Sequence, residues 1–218
     1  MTTAAFHGDS KIKRKYVERV EQHRKADEIA QGVGWQSNGV TRGCCIGCLA
    51  HAYPAHEILA REWNVPEHLF HLADAIHEGL PRQPAQVWKL WPSRFTKAIA
   101  VGADLSLVWP QMAVWLLTDP KHGVRQYAVN SPDVLKATDA VAALWKRVID
   151  GESIESLKAE FRAAAAAARA AVWAARAEAW AARAEAEEEE ARTGFWTATA
   201  DKLIELIDDQ SQVNAEAP

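Results

Sequence analysis

Apolar residues recur at spacings of three and four through most of the chain, and runs that alternate every second residue are scarce. This pattern predicts an all-α fold. Ile12, Tyr16, Val20 and His23 fall along one stripe of a helix that Ser10 can cap. The glycine-rich "QGVGWQSNGVTRG" at 31–43 reads as a loop. "AHEILAREW" follows as a short helix ending at Asn64, and Pro66 starts "PEHLFHLADAIHEGL", which stops at Gly79 and Pro81. Pro92 can open "PSRFTKAIA". Ser106 can cap "LSLVWPQMAVWLL", which is apolar on most sides and is expected to be a buried central element with Pro110 in its first turn. After the turn "TDPKHG", Ser131 and Pro132 cap and begin "DVLKATDAVAALWKRVID", closed by Gly151.

Beyond Gly151 the texture changes. Ser153 can cap a helix reaching Arg192, about 60 Å long at the usual rise per residue. Gly194 interrupts it before a last amphipathic piece, "TADKLIELIDD". The expected organisation is a flexible N-terminus at 1–9 and a helical core at 10–151. A long helical arm at 152–210 packs on that core, and a disordered tail covers 211–218.

The arm contains the repeat "AARAAVW", "AARAEAW", "AARAEAE". It places Arg162, Arg169, Arg176 and Arg183 at seven-residue intervals, a stripe that drifts only about 20° per heptad. Trp173 and Trp180 lie four residues after Arg169 and Arg176, on the same side, where a guanidinium can lie over an indole. One reading packs the alanine face on the core and leaves Arg and Trp at the rim. The other makes the stripe a docking surface for another protein, since Trp and Arg are favoured interface anchors. Nucleic acid suits it less, because Glu178, Glu185 and the run Glu187 to Glu190 sit beside it.

Composition adjusts this picture. The hydrophobic share of 49% and ten tryptophans supply a real core, and a net charge of −4 gives polyanions no general attraction. A basic patch at Lys11, Lys13, Arg14 and Lys15 is diluted by five acidic residues within the first thirty. No signal peptide is evident, and the longest apolar window, 107–117, is too short for a membrane span. The three cysteines crowd into five residues, which argues against a disulfide framework and for a reducing, cytoplasmic setting.

Those cysteines carry the most concentrated chemistry, in "RGCCIGCLAHAYPAH". If the segment is helical, Cys44, Cys48 and His51 project from one side, and His56 can close a tetrahedron around Zn²⁺ beyond Tyr53-Pro54. Cys45 points elsewhere. Inert buried thiols, a catalytic thiolate activated by His51 or His56, and an iron–sulfur cluster are the competing readings. A second arrangement lies in the helix after Pro66, where Glu67, His71, Asp74 and Glu78 share an arc of about 60°. That arc lies opposite Leu69, Leu72, Ala73, Ile76 and Leu80, so it reads as a solvated face, with His68 and His77 at its boundary.

"GCCIGCLAH", then "EGLP", then "WPSRFTKAIAVGADLSLVWPQMAVWLLTD" resemble a family of uncharacterised proteins from bacterial and phage genomes, over residues 10–120. "FRAAAAAARAAVWAARAEAWAARAEA" is similar to the alanine-rich tails of immunity proteins in bacterial toxin systems. The Arg/Trp heptads, the acidic balance and these resemblances together suggest a non-catalytic, macromolecule-binding role, such as immunity or phage counter-defence, and the cysteine–histidine spacing adds a structural zinc site at Cys44, Cys48, His51 and His56. The alternative is a metal-dependent or thiol enzyme centred on the same four residues. On the first reading, Trp173→Ala or Trp180→Ala should abolish partner capture in a pull-down, and unchanged partners would refute it.

Overall fold

The computed structural model describes residues 4–84, 86–128, 131–179 and 185–216, except the side chains of 127, 168–179, 185–192 and 214–216. Among the described residues the fold is all-α, with nine α-helices and one two-stranded ribbon. In chain order these are α1 (Ser10–Lys25), β1 (Trp35–Gln36), β2 (Arg42–Gly43), α2 (Cys45–Ala50), α3 (His56–Trp63) and α4 (Glu67–Gly79). Then come α5 (Gln86–Ala98), α6 (Val108–Thr118), α7 (Pro132–Ile149), α8 (Ile154–Ala179) and α9 (Glu185–Glu216). No described helix is long and apolar enough to cross a membrane. The chain divides into two units, residues 1–109 with 196–218, and residues 110–195.

The first unit is assembled around Trp63, which is fully buried. Phe6 and Tyr16 stand 4.9 Å from its ring, Phe70 5.2 Å and Phe95 6.3 Å, so α1, α3, α4 and α5 each contribute one aromatic side. Phe6 corrects the expectation of a flexible N-terminus. Ala5 and Phe6 are fully buried, and Ala5 exchanges two backbone hydrogen bonds with Gly102 and Ala103, each 2.8 Å. Asp9, not Ser10, then caps α1 by accepting from the Lys11 amide at 2.7 Å.

Pro92 does not open α5; it sits inside, after a first half built by Val87, Trp88 and Trp91. An internal proline costs about 3 kcal/mol. Here burial of Trp91, whose indole N–H donates to the Ala73 carbonyl at 2.8 Å, opposes that cost. Gly194 likewise does not break the arm. It lies within α9, which continues to Glu216 through residues expected to be disordered. From Trp196 onward α9 belongs to the first unit, burying Ala200, Leu203 and Ile207, and the Trp196 indole occupies the space where a Cβ on Gly79 would stand. α6 is buried only over its first half, because residues 114–118 are partly exposed.

The second unit contains the α7–α8 hairpin, in which Leu144, Val148 and Leu157 pack together with Trp145 and Phe161. Gly151 turns the chain at φ 99°, and Arg147 holds Glu152 and Glu160 across the turn. Ser153 caps α8 as expected, accepting from the Ser156 amide at 3.1 Å, whereas Ser131 makes no side-chain cap on α7.

Between α1 and α5, Glu21 accepts from Lys97 at 2.7 Å, Ser93 at 2.6 Å and Arg24 at 2.8 Å. The lysine and serine bonds hold its carboxyl down at about 2, below the ordinary 4.5. A carboxyl depressed in the folded state stabilises above its unfolded value and loses that contribution as pH falls from 4.5 towards 2. Glu21→Gln should therefore cost about 1 kcal/mol at pH 7, allowing for the solvent around Lys97, and should lessen the loss of stability on acidification. Urea melts at pH 7 and pH 3 measure both effects.

Candidate metal centre and the buried helix beside it

The site begins with α2, a helix of six residues whose first five are buried. Alone, so short a helix would not form. The loop between α1 and α2 wraps it: Gly43 pairs with Trp35, the Gly43 amide donates to the Glu28 carbonyl, and the Cys44 amide points at the Val33 and Gly34 carbonyls. Gly47 makes the wrap possible. A Cβ there would lie 2.1 Å from the Gly34 carbonyl oxygen.

Within this frame, the four zinc ligands expected from the sequence are not gathered. Among the described residues, no three of Cys44, Cys48, His51 and His56 have ligand atoms within 4.8 Å of one another. The physical reason is that 44–51 is not one helix. Cys44 is the N-cap of α2, with extended backbone, and its Sγ turns back to accept from the Gly47 amide at 3.4 Å. Cys48 lies inside α2 and donates to the Gly43 carbonyl at 3.3 Å. His51 is the C-cap, at φ 56°, and leaves the helix axis towards His23, with 2.8 Å between the two Nε2 atoms. His56 starts α3 and donates from Nε2 to Asp74 Oδ2 at 3.3 Å.

Asp74 is the residue that the sequence misplaced. α4 packs against α2, α3 and α5, so its arc of carboxylates faces neighbouring helices for part of its length. Glu67 and His71 are exposed as expected and lie 3.3 Å apart, but Asp74 is buried. His77 is also buried rather than at the boundary. It donates to the Ala30 carbonyl at 3.3 Å, and desolvation lowers its pKa to about 4. The signal was present in the spacing of Glu67, His71, Asp74 and Glu78; what sequence could not show is that α2 and α3 cover part of that side.

Cys44, Asp74 and Glu78 form the one set of three in which ligand atoms lie mutually within 4.8 Å, among the described residues. The Tyr53 hydroxyl and His56 both donate to Asp74 Oδ2, each at 3.3 Å, while Asp74 Oδ1 is buried with no hydrogen-bond partner. Glu78 accepts from the Gly32 amide at 2.7 Å. Burial first, and then the nearby Asp74 charge, push the Cys44 thiol up to about 12. Burial raises Glu78 as well, with Asp74 adding to it. The Asp74 charge thus disfavours ionisation of both Cys44 and Glu78. Cys48 is also at about 12, through burial and neighbouring acidic groups, and the fully buried Cys45 is raised too.

Of the expected docking stripe, Arg162 is exposed and borders an apolar hollow lined by Trp145, Ile154, Lys158, Phe161 and Ala165. The side chains of Arg169, Trp173 and Arg176, and residues Trp180 and Arg183 entirely, lie outside the described residues. Compared with known proteins, the chain matches no family model, no curated protein and no solved structure.

Gly47→Ala should destabilise the fold by about 3 kcal/mol, because its methyl group would meet backbone and not a yielding side chain. Gly194→Ala, in open space within α9, should instead stabilise it by up to about 1 kcal/mol. Paired denaturant titrations distinguish the two directions.

Proposed function

We propose that this chain is a metal-binding protein whose divalent ion is held by the Cys44 thiolate and the Asp74 and Glu78 carboxylates. The carrying observation is the buried, partnerless Oδ1 of Asp74 beside two further acidic ligands. A buried carboxylate oxygen left unpaired is costly, and a cation at that point would remove the cost. One sulfur and two oxygens suit a borderline ion, with Zn²⁺ foremost.

The surrounding residues fit a supporting role. His56 and Tyr53 both hold Asp74 Oδ2, orienting the carboxylate from behind, and His71 stacks on the His56 ring at 4.0 Å. The Gly32 amide fixes Glu78 in the same manner. Three protein ligands leave a fourth position open, as in catalytic rather than closed structural zinc sites, and Glu78 and Tyr53 put that edge at the surface. A bound ion would supply a Lewis acid there and would lower the Cys44 thiol into the ionised range. The geometry therefore favours the metal-dependent reading over a free thiol nucleophile, since thiols at about 12 are protonated at neutral pH.

Cobalt titration tests this. Wild type should bind one Co²⁺ with a sulfur-to-metal charge-transfer band, which Cys44→Ser abolishes and Cys48→Ser leaves intact. Asp74→Asn and His56→Ala should weaken binding, His56→Ala by about 10- to 100-fold as an orienting residue. Affinity should rise with pH, because the Cys44 proton must be displaced. No band in wild type, or a band lost with Cys48→Ser instead, would overturn the assignment.

A further inference from the structure

We infer that Glu28, His23 and His51 form a proton relay that makes Nδ1 of His51 a general base at the surface, for a substrate that must give up a water or hydroxyl proton. The relay shares no residue with the metal centre and does not depend on it.

The hydrogen-bond logic runs outward from the carboxylate. Glu28 Oε2 lies 2.6 Å from His23 Nδ1, and an ionised carboxylate only accepts, so Nδ1 carries the proton. In the Nδ1–H tautomer of His23, Nε2 is a lone pair, and it faces His51 Nε2 at 2.8 Å. That nitrogen must donate, which leaves Nδ1 of His51 as the free acceptor. His23 is only 7% exposed, whereas His51 is exposed, so the chain of bonds leads from the interior to solvent.

Backbone bonds fix the members in place. The Glu28 amide donates to the His23 carbonyl at 2.9 Å, and its own carbonyl accepts from Gly43 at 3.0 Å. His51 is anchored by its amide bond to the Gly47 carbonyl at 2.8 Å and lies flat on the Trp35 indole, 4.8 Å away and 14° from parallel. The charged groups around it are Arg19 and Lys15 on α1 and Glu28 in the following loop. Burial, and after it the Arg19 charge, lower the His51 pKa, which favours the neutral ring that can accept a proton at pH 7.

The proton balance closes within the three residues. His51 Nδ1 takes a proton from the substrate, its Nε2 proton passes to His23 Nε2, and the Glu28 carboxylate, still hydrogen-bonded to His23 Nδ1, pairs with the imidazolium that forms there. The substrate is left as the nucleophile, and the positive charge does not stay on an exposed imidazole. Glu28 and His23 act through His51 and are positioning residues.

Carbethoxylation of the full chain by diethyl pyrocarbonate, followed residue by residue by mass spectrometry, tests the relay. His7 is the internal reference: it too is exposed and bonds a carbonyl, that of Arg61, through Nε2 at 3.0 Å, but it has no relay. His51 should react at least about tenfold faster than His7 at pH 7, and Glu28→Gln should remove most of that advantage while leaving His7 unchanged. Nitrogen-15 NMR of the wild type should show the proton on Nδ1 of His23 and on Nε2 of His51, a reading that holds even if the variant fails to fold. The opposite tautomers, equal rates for His51 and His7, or an undiminished His51 rate in Glu28→Gln would each overturn the relay.

Discussion

The approach of Gly47 to the Gly34 carbonyl is the contact on which the chemistry of the first unit depends. It lets a six-residue helix lie beneath a loop with no side chain between them, and burial supplies what so short a helix lacks in intrinsic stability. Both ends of that helix then carry a side chain into a cluster of titratable groups. Its N-cap places the Cys44 sulfur beside Asp74 and Glu78, and its C-cap places the His51 ring against His23. The two clusters therefore stand at opposite ends of one short helix.

The two sites resolve the same electrostatic problem differently. Glu28 faces an imidazole that can donate to it, so its charge is balanced by a hydrogen bond at 2.6 Å. Asp74 has two donors on one oxygen and none on the other, and its remaining neighbours are acidic. A low-dielectric setting strengthens the first arrangement and penalises the second. That contrast is why one cluster reads as a closed circuit within the protein and the other as a place for a cation.

Much of the architecture was legible in sequence because it rests on local signals. Pro66, Asn64 and Gly151 mark boundaries by backbone preference alone, and the stripe Ile12, Tyr16, Val20 and His23 identified the buried side of α1, with His23 on it. The losses came where distant residues decide. Periodicity placed Asp74 opposite the apolar face, but α2 and α3 cover that side too. Helical spacing grouped Cys44, Cys48 and His51, but the first and last are caps, and a cap side chain does not follow the helical screw. Pro92 looks like a helix start because its penalty is local, while the burial of Trp91 that offsets it is not. Phe6 has no periodic partner in sequence at all; only the position of Trp63 gives it a place.

The insertion of residues 110–195 between the two parts of the first unit has a consequence for synthesis. Leu203 and Ile207, which complete that unit's core, leave the ribosome nearly a hundred residues after Trp109. Until then the Trp196 indole that lies against Gly79 at the end of α4 is missing. The α7–α8 hairpin, whose contacts are short-range, can close during that interval. Birth order and folding order thus diverge: the first helices made are the last to be sealed.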